Sequence, residues 1–167
     1  MTTIRTATLK DLDAIHQIET ESFPQAEAAS YERLLARLQV FADHFWVMEM
    51  DDTIKDEPVI AGFINGMVTG LDKIEDQMFE NASLHDNKGE WQSVFGLAVS
   101  PAFRNRGIAA QLIYHLIADS TATAKTSITL TCKEHLVKYY QKFGFRDAGI
   151  SQSNHGGAVW HDMQLRL

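Results

Sequence analysis

The sequence predicts an α/β domain on a mixed, mainly antiparallel sheet, and three observations predict it. Val94-Phe95-Gly96-Leu97-Ala98-Val99 is a short apolar run with β-branched and aromatic residues, the pattern of a buried strand. Ser100-Pro101 stops that strand, and Ile108, Leu112, Ile113, Leu116 and Ile117 then recur at helical spacing. Residues 127–131 (SITLT) form a second β-rich run beyond this helix, and a helix between two strands makes the pair parallel, with a right-handed crossover.

The remaining elements follow in order. Residues 3–7 alternate as a short strand. Thr8 is a candidate N-cap, with Asp11 three positions on, for a helix whose stripe is Leu12, Ile15 and Ile18 and continues from Glu19 to Phe23. Pro24 ends that helix. Ser30 is placed to cap a second helix with Leu34, Leu35, Leu38 and Val40-Phe41 on its face. Residues 45–50 read as a strand, the acidic stretch 51–58 as a hairpin turn, and 59–68 as the partner strand, interrupted in character by Gly62 and Gly66. The pair is expected to run as an antiparallel meander into a strand at 91–99. Residues 69–89 are polar, with Leu71, Ile74, Met78 and Phe79 spaced for a modest helix over a solvated connection or a flap beside the substrate. Residues 134–143 read as a helix ended by Gly144, and Asn154-His155-Gly156-Gly157 as the turn of a closing hairpin.

Bulk properties narrow the class. A chain of 167 residues, 45% hydrophobic, is expected to form one domain over 1–167. No apolar run is long enough for a bilayer and the N-terminus has no signal-like segment. A single cysteine excludes an internal disulfide and suits a reducing cytoplasm. A net charge of −7 argues against nucleic acid as a partner and favours cationic small molecules. The seven histidines show no ligand spacing, so no metal is expected.

The chemistry concentrates at Arg104-Asn105-Arg106-Gly107-Ile108-Ala109-Ala110. The first turn of a helix has backbone N–H groups without intrahelical partners, and the helix dipole is positive there. With two arginines and a glycine that admits close approach, this is a diphosphate cradle; a βα corner with solvated arginines is the alternative.

RNRGIA resembles the Arg/Gln-x-x-Gly-x-Gly/Ala signature of the GNAT acetyltransferase superfamily, and the strand ending Leu-Ala-Val-Ser precedes it as in that family. The block 130–145, with Cys132, Leu136-Val137 and Tyr140-Gln-Lys-Phe-Gly-Phe145, is similar to the arylalkylamine N-acetyltransferase branch, and the likeness reaches back to Glu21-Ser22-Phe23. It implies a GNAT fold, with helices on both sheet faces and two parallel central strands that splay to admit coenzyme A. It implies acetyl transfer from acetyl-CoA to a primary amine of a small molecule, arylalkylamine or polyamine-like, by direct attack in a ternary complex. A non-catalytic acyl-CoA-binding or sensing module, and a protein N-terminal or lysine acetyltransferase, are the alternatives.

The resemblance also distributes roles. The strand backbone at Leu97, Ala98 and Val99 would pair with the pantetheine arm, and Tyr140 would protonate the leaving thiolate; a phenol is a stronger donor than water. An amphipathic core residue is the other reading of Tyr140. The two strand histidines of the vertebrate-type arylalkylamine enzymes are replaced here by Ser93 and Phe95, and Ser93 can orient a water but cannot hold the proton. Glu27, in Phe23-Pro-Gln-Ala-Glu27, resembles the loop glutamate that serves as base in insect dopamine-type enzymes, or is an ordinary loop carboxylate. Glu90, His155 and a water chain are lesser candidates. Cys132 has no base to activate it. Phe23, Trp46, Phe63 and Trp160 are candidates for an aromatic acceptor pocket. The protein is expected to be a monomer or homodimer.

Overall fold

Pairing partners, rather than the length of an apolar run, decide where the strands end. The computed structural model describes residues 1–167. Its first sheet has the order β1-β2-β3-β6, from β1 (Thr2–Thr6), β2 (Phe45–Asp52), β3 (Glu57–Asn65) and β6 (Gly96–Val99), all antiparallel. The second has the order β4-β5-β7-β9-β8, from β4 (Val68–Thr69), β5 (Trp91–Val94), β7 (Ser127–Cys132), β8 (Arg146–Ile150) and β9 (His161–Arg166). Only β5 and β7 run parallel, as a crossover helix requires.

The helices cover both faces. Two helices, α1 (Leu12–Ser22) and α2 (Tyr31–Phe41), pack Ile15, Ile18, Leu34 and Leu38 against Phe45, Val47 and Phe63. On the opposite face α4 (Ile108–Ala122) packs Leu112 and Leu116 against Trp46, Met48 and Ile64. Successive residues of β2 thus bury opposite sides, which is why the run Phe-Trp-Val-Met has no polar alternation. Each fully buried Leu or Ile contributes about 1.5–3 kcal/mol. Ser30 caps α2 as expected, its Oγ accepting from Arg33 N at 3.2 Å, whereas Thr8 opens a 3-10 turn (Leu9–Asp11) ahead of α1, its backbone N–H donating to Asp11 Oδ2 at 2.8 Å. The polar connection carries a short helix, α3 (Asp76–Glu80), over Phe41 and Met67. No helix is long and apolar enough to cross a membrane.

Two expected strands are each broken in two. The run 59–68 divides at Gly66-Met67, where the chain leaves the first sheet for the second. Only glycine fits there, since a Cβ on Gly66 would lie 1.9 Å from the Ser93 carbonyl oxygen. The run 91–99 divides at Phe95, whose N–H donates to Asn65 O at 2.7 Å and shifts the strand from β7 onto β3. Near the C-terminus the expected helix 134–143 is a 3-10 turn followed by α5 (Val137–Gln141). The expected tight turn at 154–157 is instead part of a longer connection, 151–160, folded against α3 and the α1–α2 loop.

Candidate active site

The break at Phe95 makes a notch. Parallel pairing runs from Trp91↔Ser127 to Val94↔Leu130 and stops; beyond it β6 follows β3 and β7 follows β9. A cavity of about 130 Å³ lies in the opening, with Gly96 and Leu97 on one wall and Thr131 and Cys132 on the other. The β6 edge facing it is unpaired. Ser100 N donates to Ala61 O at 2.7 Å, so by antiparallel alternation Gly96 and Ala98 also face β3, while Leu97 and Val99 turn their N–H groups to the notch. Ala98, expected beside them in the cofactor strip, therefore drops out: its backbone faces β3 and its side chain packs with α1 and α2.

At the far end of this edge stands the loop before α4. Asn105 (φ 63°) and Gly107 (φ 75°) are left-handed, and the backbone N–H groups from Asn105 to Ala110 have no partner within the chain. Such a run of free donors at a helix N-terminus is an anion nest. The space beside Gly107 is open, with no atom within 4 Å of where a Cβ would sit. Of the arginines, Arg106 lies over the Phe103 ring at 5.2 Å, on the exposed side of the loop. Arg104 folds back, donating to Val99 O at 3.0 Å and to Ser22 Oγ at 3.2 Å. Ile108 contributes backbone only, since its side chain is in the core with Leu112, and Ala109 and Ala110 are half-buried.

Tyr140 lines the inner end of the cavity, with Cys132 and Leu136. It is buried among Phe145 and Tyr139, yet its hydroxyl makes no hydrogen bond within the chain. Burial holds the phenol well above its ordinary pKa, so it keeps a proton to give. Burial likewise pushes the Cys132 thiol up to about 11, which makes it a poor nucleophile.

Glu27 also lines the cavity, but Lys133 Nζ holds both of its oxygens, at 2.7 and 3.1 Å. Its carbonyl oxygen accepts from His155 Nε2 at 2.9 Å. Ser93 does not reach the cavity: it is fully buried and its Oγ donates to Met67 O at 2.7 Å, so the water-orienting role expected of it has no basis. Phe23 and Trp160 line the cavity as expected, whereas Trp46 and Phe63 are sealed in the two cores; Phe79 and Phe95 take their places. Glu90 lies in a different depression.

Two charged residues in the cavity wall escaped the sequence reading. Glu19 and Arg37 are each only 4% exposed. Glu19 follows Ile15 by four positions, and Arg37 sits between Leu34 and Leu38, so both charges interrupt apolar helix faces. That interruption was the available signal. Arg37 donates to Asn65 Oδ1 at 3.3 Å and to Phe79 O at 3.2 Å, and lies 5.0 Å over the Phe95 ring.

Comparison with known proteins bears on the fold and the family. The chain is 26% identical to serotonin N-acetyltransferase of Mesocricetus auratus over 115 residues, covering 67% of this chain and 53% of that protein. It thus spans about half the length of that curated relative. Its fold is similar to the ribosomal-protein-S18-alanine N-acetyltransferase of Escherichia coli (TM-score 0.71, 19% identity, 99% and 94% of the two chains covered). It is also similar to the GphF GNAT-like decarboxylase in complex with isobutyryl-CoA (TM-score 0.77, 19% identity, 98% of each chain covered). Because the acetyltransferase (GNAT) family profile matches residues 12–145, well over half of the chain, the protein belongs to that family.

Proposed function

We propose that the protein transfers an acetyl group from acetyl-CoA to a primary amine of a small molecule, arylalkylamine or polyamine-like. One observation carries this reading: the β6 edge whose Leu97 and Val99 N–H groups are unpaired leads at one end to the cavity lined by Leu97 and Tyr140, and at the other to the free donors at 105–110. The nest would hold the diphosphate, Leu97 and Val99 the pantetheine arm, and an N–H of that edge the thioester carbonyl oxygen. Arg104 fixes the loop to the same edge of β6, donating to Val99 O. Tyr140 would give its proton to the departing sulfur.

The inert Cys132 supports direct transfer in a ternary complex over an acetyl-enzyme. A small acceptor is supported over a protein terminus or lysine by the roof of the cavity. There His155 and Lys133 hold the Glu27 loop, and Asp76 accepts from Ser153 Oγ and from Asn154 N, the latter at 3.2 Å. The test is thiol release from acetyl-CoA across a panel of primary amines and N-terminal peptides. Turnover with a small amine is expected. Tight CoA binding without turnover on any amine would make the protein a sensor, and turnover on peptides alone would move it to the protein-modifying class.

A further inference from the structure

Glu19 keeps one carboxyl oxygen without a hydrogen-bond donor in the wall of the cavity that Tyr140 also lines. Its Oε2 accepts from Ala29 N at 3.1 Å, and Oε1 is the unpartnered atom. The Asn65 amide nitrogen is likewise unpartnered, and its direction is fixed. Arg37 has only donors, so Asn65 must offer it the oxygen and turn its NH₂ the other way. Both unpartnered atoms border Gly96: a Cβ there would lie 3.3 Å from Asn65 Nδ2 and 3.6 Å from Glu19 Oε1. Leaving such groups unpaired in a core is costly, so their convergence on a cavity wall marks a place for a ligand.

We propose that Glu19 is the catalytic residue that receives the ammonium proton of the acceptor, an assignment that rests on the acetyltransferase reading. The acceptor arrives as R–NH₃⁺ and passes one proton to Glu19 Oε1. The freed nitrogen lone pair forms the N–C bond to the thioester carbonyl carbon, and the C–S bond breaks. Sulfur takes the Tyr140 hydroxyl proton, and the second proton shed by nitrogen returns to the Tyr140 oxygen. The products are the amide, the free thiol and protonated Glu19, which loses its proton to solvent in the next cycle. Arg37 is a positioning residue, since it fixes Asn65.

Chemistry and competition both favour Glu19. Burial raises its proton affinity, while the Ala29 N–H and the Arg37 charge oppose the rise, which moves a carboxylate toward the range useful to a base near neutral pH. Glu27 has both oxygens engaged by Lys133. The other charged and titratable groups around the cavity are Arg33 and Arg37 from α2, His155 from the 151–160 connection, Cys132 on β7 and Tyr140 on α5. None of them offers an unpartnered carboxyl oxygen. The recognised group is accordingly an alkylammonium ion.

The experiment compares wild type with Glu19→Gln, which keeps an oxygen for Ala29 N–H, and with Gly96→Ala, which adds a methyl beside Oε1 without altering charge. Steady-state rates are measured against pH, and phenethylamine and CoA binding by calorimetry. Glu19→Gln is expected to lower kcat/KM about 100-fold near neutral pH, to flatten its rise with pH, and to recover where the free amine predominates. It is expected to bind phenethylamine about tenfold more weakly with CoA affinity unchanged, and Gly96→Ala to show the same selective loss on a smaller scale. Wild-type pH profile and amine affinity in Glu19→Gln would overturn the assignment. Should wild type turn over no amine, the acetyltransferase reading fails, and calorimetry still decides whether Glu19 is the ammonium site: equal amine affinity in wild type and Glu19→Gln rejects it.

Discussion

Arg37 reaches Asn65 Oδ1 at 3.3 Å and forms no ion pair, so a buried guanidinium leans on neutral oxygens beside the carboxyl of Glu19. Burial, only partly offset by the Glu19 charge, lowers Arg37 to about 10. Both side chains are held in the wall at a cost in solvation.

Glu19→Gln is therefore expected to stabilise the fold at neutral pH. The folded-state pKa of Glu19 is raised by burial, so its favourable contribution is complete below the ordinary carboxylate range and is lost as pH rises through the raised value. The melting temperature of the variant should exceed that of wild type at neutral pH and converge with it in acid. A difference independent of pH would show that Glu19 titrates like an exposed carboxylate.

Tyr140→Phe removes a hydroxyl that bonds to nothing in the chain, so the fold and CoA affinity should be retained. The expected loss is in kcat, by about 100-fold. Because burial raises the Tyr140 pKa, the phenol stays protonated over the working range, and an alkaline fall in wild-type rate should persist in the variant. Unaltered kcat would remove Tyr140 from the proton path.

Gly107→Ala forces a side chain into a left-handed conformation and should cost about 1 kcal/mol of stability. It should also weaken CoA binding. Gly149→Ala is the control: φ is 101° there and the space beside it is open, so a similar loss of stability is expected with CoA affinity intact. Equal CoA affinity in both variants would detach the loop from the cofactor.

Asp11→Asn addresses the cap of α1. Against burial, which would raise it, the two Arg5 hydrogen bonds at 2.8 and 2.9 Å hold the Asp11 carboxyl below its ordinary value. That contribution is present above the ordinary carboxylate range and is lost as pH falls through the lowered value. Arg5 is a third exposed, so urea denaturation at neutral pH should show a loss of only about 1–2 kcal/mol, closing in acid. An equal loss at all pH values would assign the effect to the Thr8 cap alone.

The Ser30 cap and the loop at Gly107 were legible in the sequence because each depends on neighbours within a few positions, and the parallel β5–β7 pair because a helix between two strands dictates it. Tyr140 and Glu27 were found through resemblance, and the structure places both on the cavity. Ser93 and Ala98 were misassigned because their directions depend on the step at Phe95, which is set by Asn65, thirty positions away. Glu19 and Arg37 interrupt apolar helix stripes, but spacing alone does not say what either charge faces. Only packing of α1 against α2 shows that both point inward.

Residues 91–99 are shared property: one end is stitched into the second sheet and the other into the first. Neither half can melt while the other stays intact, because unzipping either one drags on the same nine-residue thread. Despite separate apolar clusters on its two faces, the molecule should lose its order in a single cooperative event.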